Sequence, residues 1–201
     1  MDDWGNRRLN MVERKNHNQS VNTPEKIAAT YLRLNGFLLL PHFTTFFARP
    51  ENNHVDLIGY RPAKSKELVH RKKLERDVAF SKNLTETLGK NSVKSKVGII
   101  VQVRGNAQQV EITDEQVEYV KSFLGGIDPV RILFHCQKPP ILIEGNQIRI
   151  DLKYSYHWIQ NRVKEMERVS KIHKTGSWTL SEEFLGDLLS LRRIVCRTIY
   201  Y

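Results

Sequence analysis

The chain has 201 residues, enough for one well-buried domain and too few for two of ordinary size. Lysine and arginine number 32 against 22 aspartate and glutamate residues, so the net charge is +10 and the pI is near 9.7. Apolar residues make up 40% of the chain, which is typical of a folded domain and too high for a disordered protein. An excess of positive charge attracts polyanions, of which nucleic acid is the first to consider.

Several classes of protein are excluded by what the chain lacks. The longest apolar run, residues 37–40, is far below the roughly 18 residues that a membrane span requires. The first twenty residues are polar and carry no apolar core of a signal peptide. Cys136 and Cys196 have no CxxC spacing, which excludes a disulfide framework and a cysteine zinc site. We therefore expect a cytoplasmic protein without a membrane segment.

The composition divides the chain into three regions. Residues 1–21 are polar, rich in asparagine and aperiodic, which predicts a flexible N-terminal arm. Residues 22–153 predict a single α/β domain, and a basic insert occupies residues 61–96 within it. Residues 154–201 predict a C-terminal helical extension.

The first predicted elements are a helix and several strands. Thr23 is a favourable N-cap, Pro24 suits the first helical position, and Asn35-Gly36 predicts the end of the helix. The next apolar stretches predict strands over residues 37–40 and 44–48, separated at Pro41, and over residues 54–60, whereas residues 68–88 are compatible with a helix.

The most apolar segment lies near the middle of the chain. Residues 97–103 (VGIIVQV) are rich in β-branched side chains and predict a strand buried on both faces. The remaining elements are a helix from Thr113 to Leu124, a strand over 130–136, a hairpin turning at Gly145-Asn146, and amphipathic helices over 154–173 and 179–194. This alternation of helices and strands around one buried strand predicts the α/β class.

Three polar side chains interrupt two of the apolar strands. Asp56 stands between Val55 and Leu57, while Gln102 and Arg104 are two residues apart in the sequence IIVQVRGN. Residues at i and i+2 of a strand share a face, so the last two side chains point the same way. Burial of a polar group costs free energy unless the group forms a hydrogen bond or an ion pair. The three side chains therefore either pair with one another or bind a metal ion and a phosphate.

The same residues give the chain a resemblance to a known family. A capped helix with an early acid (Glu25), an aspartate between apolar residues and a buried strand ending in QVR resemble the PD-(D/E)XK nucleases. The Mrr-type branch has glutamine at the second motif position, as here. The resemblance covers residues 23–137 and implies a restriction-endonuclease-like α-β-β-β-α-β core with a mixed central sheet. It also implies Mg²⁺-dependent hydrolysis of DNA.

The resemblance assigns a role to each motif residue. Asp56 corresponds to the motif aspartate, Gln102 to the second acidic position and Arg104 to the lysine. Glu25 corresponds to the acid that many members carry on the first helix. The implied metal ligands are the side chains of Asp56 and Gln102 and the carbonyl of Val103.

Two departures from the motif bear on catalysis. Arg104 can bind phosphate, but its pKa lies far above neutrality, so it cannot take part in proton transfer as a lysine can. Because Gln102 is neutral, Asp56 is the one certain anionic ligand for Mg²⁺. Two functions follow: a metal-dependent DNA endonuclease in restriction or repair, or an inactive DNA-binding or accessory protein on the same fold.

The basic insert is the predicted DNA-binding surface. Residues 61–96 contain 11 lysine or arginine residues and 4 acidic ones, so their net charge of 11 − 4, or +7, is most of the total. A solvated helix face or a mobile loop would give the same pattern. The residues that we predict to contact DNA are Arg71, Lys72, Lys73 and Arg76.

Each candidate also has a purely structural explanation. Asp56 would cap a turn at a strand end, Glu25 would be an ordinary first-turn acid, and Gln102 with Arg104 would form the polar face of an edge strand. A third function is an oligomeric, partner-binding protein. In that case the C-terminal helices would form a homodimer interface.

Overall fold

A computed structural model describes residues 23–45, 54–63, 68–69, 72–73, 75–89, 95–104, 112–136 and 139–173. The predicted N-terminal arm (1–21), the strand residues 46–48 and the second C-terminal helix (179–194) lie outside these ranges. The described helices are α1 (Thr23–Leu34), α2 (Val78–Leu88), α3 (Asp114–Phe123) and α4 (Leu152–His173). The described strands are β1 (Leu38–Thr44), β2 (His54–Arg61), β3 (Leu68–Val69), β4 (Lys72–Lys73), β5 (Val97–Val103), β6 (Pro129–His135), β7 (Ile141–Glu144) and β8 (Gln147–Asp151).

Six of the strands form one mixed sheet in the order β1-β2-β5-β6-β8-β7. The β1–β2, β2–β5 and β7–β8 pairs are antiparallel, whereas β5–β6 and β6–β8 are parallel. The two short strands β3 and β4 pair with each other in a separate antiparallel ribbon. The α/β class and the mixed central sheet are therefore confirmed.

Helices cover both faces of the sheet, and β5 is consequently buried along its whole length. On one face, Ile99 and Val101 belong to a large apolar cluster that also contains side chains of α1, α2 and α4. On the other face, Ile100 packs in a smaller cluster with Val120 of α3. Because helices cover both faces of the sheet, β5 consists of an almost continuous run of apolar residues.

Local signals in the sequence set several boundaries. The prediction for β5 is confirmed residue for residue. Helix α3 begins after Thr113, which forms a capping box with Gln116. Gly36 follows α1 with a φ of 90°, a left-handed conformation that glycine adopts without strain. Gly59 has a different reason to be glycine, because a Cβ there would lie 2.7 Å from side-chain atoms of Ile99 and Leu39.

The predicted break at Pro41 is wrong. β1 continues through this residue, which pairs with Leu57 of β2. Among the described strands, β1 has one neighbour, β2, so its other side makes no ladder hydrogen bonds within this sheet and tolerates a residue without an N–H.

The helix predicted over 68–88 is shorter than expected. α2 begins at Val78, and the residues at 68–69 and 72–73 form the β3–β4 ribbon instead. The physical reason is the N-cap: the Asp77 carboxylate accepts a hydrogen bond from the Phe80 N–H at 3.2 Å, which fixes the start of the helix.

The long C-terminal helix starts inside the domain. Leu152, Tyr156 and Ile159 of α4 are buried in the large cluster, and α4 packs against α1. The described part of the predicted extension (154–173) thus contributes to the main core. None of the helices in the described ranges is long and apolar enough to cross a membrane.

Candidate active site where β2 and β5 separate

The regular pairing of β2 with β5 stops just before the candidate residues. The register runs from Arg61 opposite Val97 to Leu57 opposite Val101. Asp56 and Gln102 are the next residues on the two strands. Because the strands are antiparallel, the start of β2 and the end of β5 lie at the same edge of the sheet.

Two side chains bridge the strands where the backbone pairing ends. Asp56 Oδ2 accepts a hydrogen bond from the Val103 N–H at 2.6 Å. Gln102 Nε2 donates a hydrogen bond to the His54 carbonyl oxygen at 2.8 Å. Each side chain thus occupies the place of a ladder partner. We refer to residues 54–56 and 102–104 together as the β2–β5 fork.

β2 is irregular at the fork. Val55 belongs to the small cluster and Leu57 to the large one, although residues two apart in a regular strand share a face. The strand therefore changes face across Asp56. Local irregularities of this kind re-aim side chains and occur often beside functional sites.

His42 lies opposite Asp56 on the neighbouring edge strand, since its two flanking residues pair with Leu57 and Val55. Its φ is 52°, in the left-handed region that residues other than glycine rarely adopt. The distortion of β2 is thus matched by one in β1, and His42 is close enough to Asp56 to act to lower the pKa of its carboxyl.

Two atoms of the fork are buried and unpaired. Gln102 is 2% exposed, and its Oε1 atom has no hydrogen-bond partner among the described residues. The Nε atom of Arg104 is also buried and, within the described ranges, lacks an acceptor. The Arg104 N–H donates to the Phe134 carbonyl at 2.8 Å, so the β5–β6 pairing extends to this residue. One unpaired acceptor and one unpaired donor therefore stand two residues apart.

The electrostatics of the fork centre on Asp56. Burial raises the pKa of this carboxyl above its ordinary value, because the charged form loses hydration. The hydrogen bond from Val103 and the charges of Arg104, His42 and His54 act in the opposite direction and only partly offset burial. A cation bound at the carboxylate would stabilise the ionised form and reverse the shift.

The fork offers few ligands for a metal ion. No group of three or more histidine, cysteine, aspartate or glutamate side chains in the described ranges is arranged to hold one. The Asp56 carboxylate and the unpaired Gln102 Oε1 are nevertheless hard oxygen donors of the type that Mg²⁺ accepts. Mg²⁺ commonly retains several waters, so these two side chains fit a weakly held ion.

The remaining predicted residues lie elsewhere. Glu25 is buried in the first turn of α1. Arg71 is outside the described residues, and Lys72 and Lys73 form β4, whose backbone alone is described. Arg76 is half-buried just before α2. The structure thus brings together Asp56, Gln102, Val103 and Arg104, whereas Lys72 and Lys73 lie in the separate β3–β4 ribbon.

The structure adds two histidines to the surroundings of Asp56 that the sequence analysis did not count as site residues. His42 and His54 both act to lower the pKa of the Asp56 carboxyl. A signal for His54 was available, because it stands two residues before Asp56 in the same strand. The position of His42 depends on the β1–β2 register, which the sequence does not display.

No protein-family model, curated protein or solved structure matches the chain in comparisons with known proteins. The chemistry of the fork is therefore the basis for a functional assignment. It combines a carboxylate, an amide oxygen fixed in orientation and a guanidinium group, a set that can bind a cation and a phosphate together.

Proposed function

We propose that the chain is a Mg²⁺-dependent endonuclease of the PD-(D/E)XK type that hydrolyses phosphodiester bonds of DNA at the β2–β5 fork, in restriction or repair. The unpaired buried Gln102 Oε1 and Arg104 Nε carry this proposal. Native structures rarely leave enclosed polar atoms unpaired without a reason. A phosphodiester group with its bound cation satisfies both atoms, since the cation takes the oxygen and the phosphate takes the N–H.

The element order supports the proposal. α1 is followed by β1, β2 and β5, which are successively antiparallel neighbours, and then by α3 and by β6, which is parallel to β5. The β3–β4 ribbon and α2 are inserted between the second and third of these strands. This is the α-β-β-β-α-β order that the resemblance to PD-(D/E)XK nucleases implies.

The residues of the fork have distinct roles in this proposal. Asp56, Gln102 and the Val103 carbonyl hold the metal ion, which when bound neutralises phosphate charge and acidifies water. Gln102 Nε2 is held by the His54 carbonyl, so Oε1 is fixed in direction. Arg104 donates to a phosphate oxygen and stays charged throughout. Glu25 of α1 is the corresponding helix acid of the family.

A second candidate is a DNA-binding protein that does not cleave. The observation in its favour is the composition of the fork, in which Asp56 is the anionic side chain and Arg104 cannot release a proton. Such a fork binds phosphate without activating water efficiently. The hypothesis of a homodimer through the C-terminal helices stays a prediction, because residues 179–194 lie outside the described ranges.

Nicking of supercoiled plasmid DNA in Mg²⁺ distinguishes the two candidates. We expect Arg104→Lys to raise the nicking rate, because lysine restores an amine whose pKa burial beside a metal can lower. Addition of Gln102→Glu should strengthen Mg²⁺ binding through a second anionic ligand. Asp56→Ala should remove activity. Arg149→Lys, in β8, controls for a general effect of exchanging arginine for lysine.

The double variant decides the outcome. If Gln102→Glu/Arg104→Lys folds and binds DNA yet nicks no faster than Asp56→Ala, the endonuclease proposal fails. The non-cleaving candidate then takes its place. If wild-type protein nicks DNA and Asp56→Ala does not, the endonuclease proposal stands as stated.

A further inference from the structure

Three aromatic side chains form a patch between the edge strand β1 and helix α3. The centre of the Phe43 ring lies 4.9 Å from that of the Phe123 ring and 5.9 Å from that of the Tyr119 ring. Tyr119 and Phe123 are four residues apart in α3, so both lie on one face of this helix. We refer to Phe43, Tyr119 and Phe123 together as the aromatic patch.

The aromatic patch is incompletely covered. Phe123 is 58% exposed, although its ring contacts that of Phe43. Leu40 is 47% exposed and lies on the same face of the sheet, because its pairing partner Ile58 belongs to the small cluster against which Phe43 packs. Single exposed apolar side chains are ordinary, whereas several on one face are typical of a binding surface.

The backbone of β1 is distorted in a way that places Phe43 in the patch. Pro41 pairs with Leu57 of the large cluster, and in a regular strand residue 43 would share that face. Phe43 instead packs against the small cluster, on the α3 face, and His42 between the two residues has a φ of 52°. This conformation is uncommon for histidine, and strained residues of this type are found mainly at functional sites.

The aromatic patch lies beside the β2–β5 fork. Phe43 pairs with Val55, the residue before Asp56, so one strand spacing and one residue step separate Phe43 from Asp56, roughly 6 Å between Cα atoms. The charge of Arg104 acts on Asp56 and would attract an anionic backbone to the same place. A nucleobase is joined to its phosphate through a single sugar. A nucleotide with its phosphate at the fork therefore has its base within reach of the rings.

We propose that the aromatic patch binds an unpaired nucleobase, which stacks on the exposed ring of Phe123 while the adjoining phosphate lies at the fork. This inference rests on the proposed function and specifies its substrate class, which is single-stranded DNA or a duplex with unpaired bases. Bases of an intact duplex stack on one another and do not reach a ring outside the helix. Stacking on aromatic side chains tolerates any base, so the patch selects unpaired structure rather than sequence.

The test measures the affinity of the full chain for a single-stranded oligonucleotide and for the duplex of the same sequence. Both are titrated without divalent ions, so that no cleavage occurs, over a series of salt concentrations. Phe123→Ala removes the exposed ring, Phe123→Leu keeps an apolar side chain, and Phe123→Tyr keeps a ring. Leu142→Ala is the matched control, because Leu142 is 41% exposed and lies in β7, at the other end of the sheet from β1.

We expect wild-type protein, Phe123→Tyr and Leu142→Ala to bind the single strand more tightly than the duplex. Phe123→Ala should weaken single-strand binding about 5-fold or more, because one base–ring stacking interaction is lost, and should leave duplex binding unchanged. Phe123→Leu should also weaken single-strand binding. The slope of log affinity against log salt should be the same in all variants, since no phosphate contact is removed.

Equal single-strand affinities of Phe123→Ala and Leu142→Ala would overturn the inference. If Phe123→Ala fails to fold, Phe123→Leu and Phe123→Tyr decide, and equal affinities of these two would overturn stacking. Size-exclusion chromatography tests a different occupant. A wild-type dimer that Phe123→Ala converts to a monomer, with unchanged affinity for DNA, would assign the patch to a second copy of the chain and overturn the inference.

The inference and the proposed function fail separately. If wild-type protein nicks plasmid DNA through Asp56 but its single-strand affinity does not depend on Phe123, the stacking site is wrong and the endonuclease proposal stands. If single-strand binding depends on Phe123 but neither wild type nor the Gln102→Glu/Arg104→Lys variant nicks DNA, the stacking site stands and the endonuclease proposal fails.

Discussion

Asp77 and Asp56 are both shielded from solvent to some extent, and they differ in the number of hydrogen bonds that their carboxylates accept. Asp77 is 2% exposed and accepts three, from the hydroxyls of Tyr31 and Tyr154 and from a main-chain N–H of α2. Asp56 is half-buried and accepts one described hydrogen bond, from the Val103 N–H. Its neighbours on β5 carry unpaired buried atoms.

Under the proposed function, this difference separates a carboxylate that stabilises the fold from one that binds a ligand. The partners of Asp77 come from α1, α2 and α4, so one side chain joins three helices over the large cluster. A fully paired polar network of this kind makes the packing of its elements specific. The β2–β5 fork is incompletely paired, which is unfavourable for stability and available for binding. Exchange of single residues at the two places tests this distinction.

The largest effect is expected for Asp77→Ala. Loss of the carboxylate removes the N-cap of α2 and leaves the Tyr31 hydroxyl buried without an acceptor, so we expect a loss of about 3–5 kcal/mol in the free energy of unfolding. Asp56→Ala should change it by less than about 1 kcal/mol, because relief of charge burial offsets the lost hydrogen bond. Denaturant unfolding measures both variants. Similar losses of unfolding free energy in the two variants would mean that Asp56 stabilises the fold as much as Asp77 does.

The two tyrosines that donate to Asp77 rank next. Tyr31 is fully buried, so Tyr31→Phe should reduce the free energy of unfolding by about 1–2 kcal/mol. Tyr154 is half-buried, and water can replace its hydroxyl, so Tyr154→Phe should remove no more than about 1 kcal/mol. Both variants keep the ring, and denaturant unfolding compares them directly. A larger loss for Tyr154→Phe would show that the outer hydrogen bond is the important one.

The sequence predicted those elements of the fold that depend on residues close together in the chain. β5 is covered on both faces and reads as an apolar run, and α3 starts at a recognisable cap. The spacing of Gln102 and Arg104 predicts that their side chains point to the same face, which stays a prediction. The hydrogen bond from the Val103 N–H to Asp56 spans 47 residues, including the basic insert, and was not predicted; the resemblance implied only that Asp56 and the Val103 carbonyl are metal ligands.

What the sequence did not show depends on distant partners. The hydrogen bonds of Asp77 join residues 46 and 77 positions apart, and no local pattern indicates them. The same limit applies to Arg61, which was counted with the surface charge of the insert and is buried. Pro41 was misjudged because its effect depends on whether the strand lies at an edge of the sheet.

A smaller, pH-dependent difference is expected for Asp56→Asn. Burial raises the pKa of Asp56 in the folded state above the unfolded value of about 3.8, so the protonated form favours folding. This contribution is fully present below the unfolded pKa and is lost as pH rises through the folded pKa. Asparagine does not titrate, so the variant should gain stability relative to wild type between pH 3 and pH 7.

Thermal unfolding at several pH values measures this gain in stability. A second measurement repeats the unfolding with and without Mg²⁺. At pH 7 the ion should stabilise wild-type protein and leave Asp56→Asn unaffected, because the anionic ligand is absent. A difference in stability that stays constant with pH would contradict the raised pKa. Equal stabilisation of both proteins by Mg²⁺ would place the ion elsewhere.

The smallest effects on stability are expected for substitutions at two buried glutamines, Gln102 and Gln116, which are 2% and 4% exposed. Gln116 is paired in the capping box, where its Oε1 accepts from the Thr113 N–H at 3.0 Å. Gln116→Met should reduce the free energy of unfolding by about 1 kcal/mol, since methionine favours a helix but cannot complete the cap.

Gln102→Met should change that free energy by less than about 0.5 kcal/mol, because removal of the unpaired Oε1 offsets loss of the hydrogen bond to the His54 carbonyl. Its effect should instead fall on binding: Mg²⁺ should stabilise Gln102→Met less than it stabilises Gln116→Met. Denaturant unfolding with and without Mg²⁺ measures both quantities on the same samples. Gln102→Met could instead prove less stable than Gln116→Met and be stabilised by Mg²⁺ to the same extent. In that case the Gln102 amide stabilises the fold, and its unpaired oxygen does not indicate a bound ion.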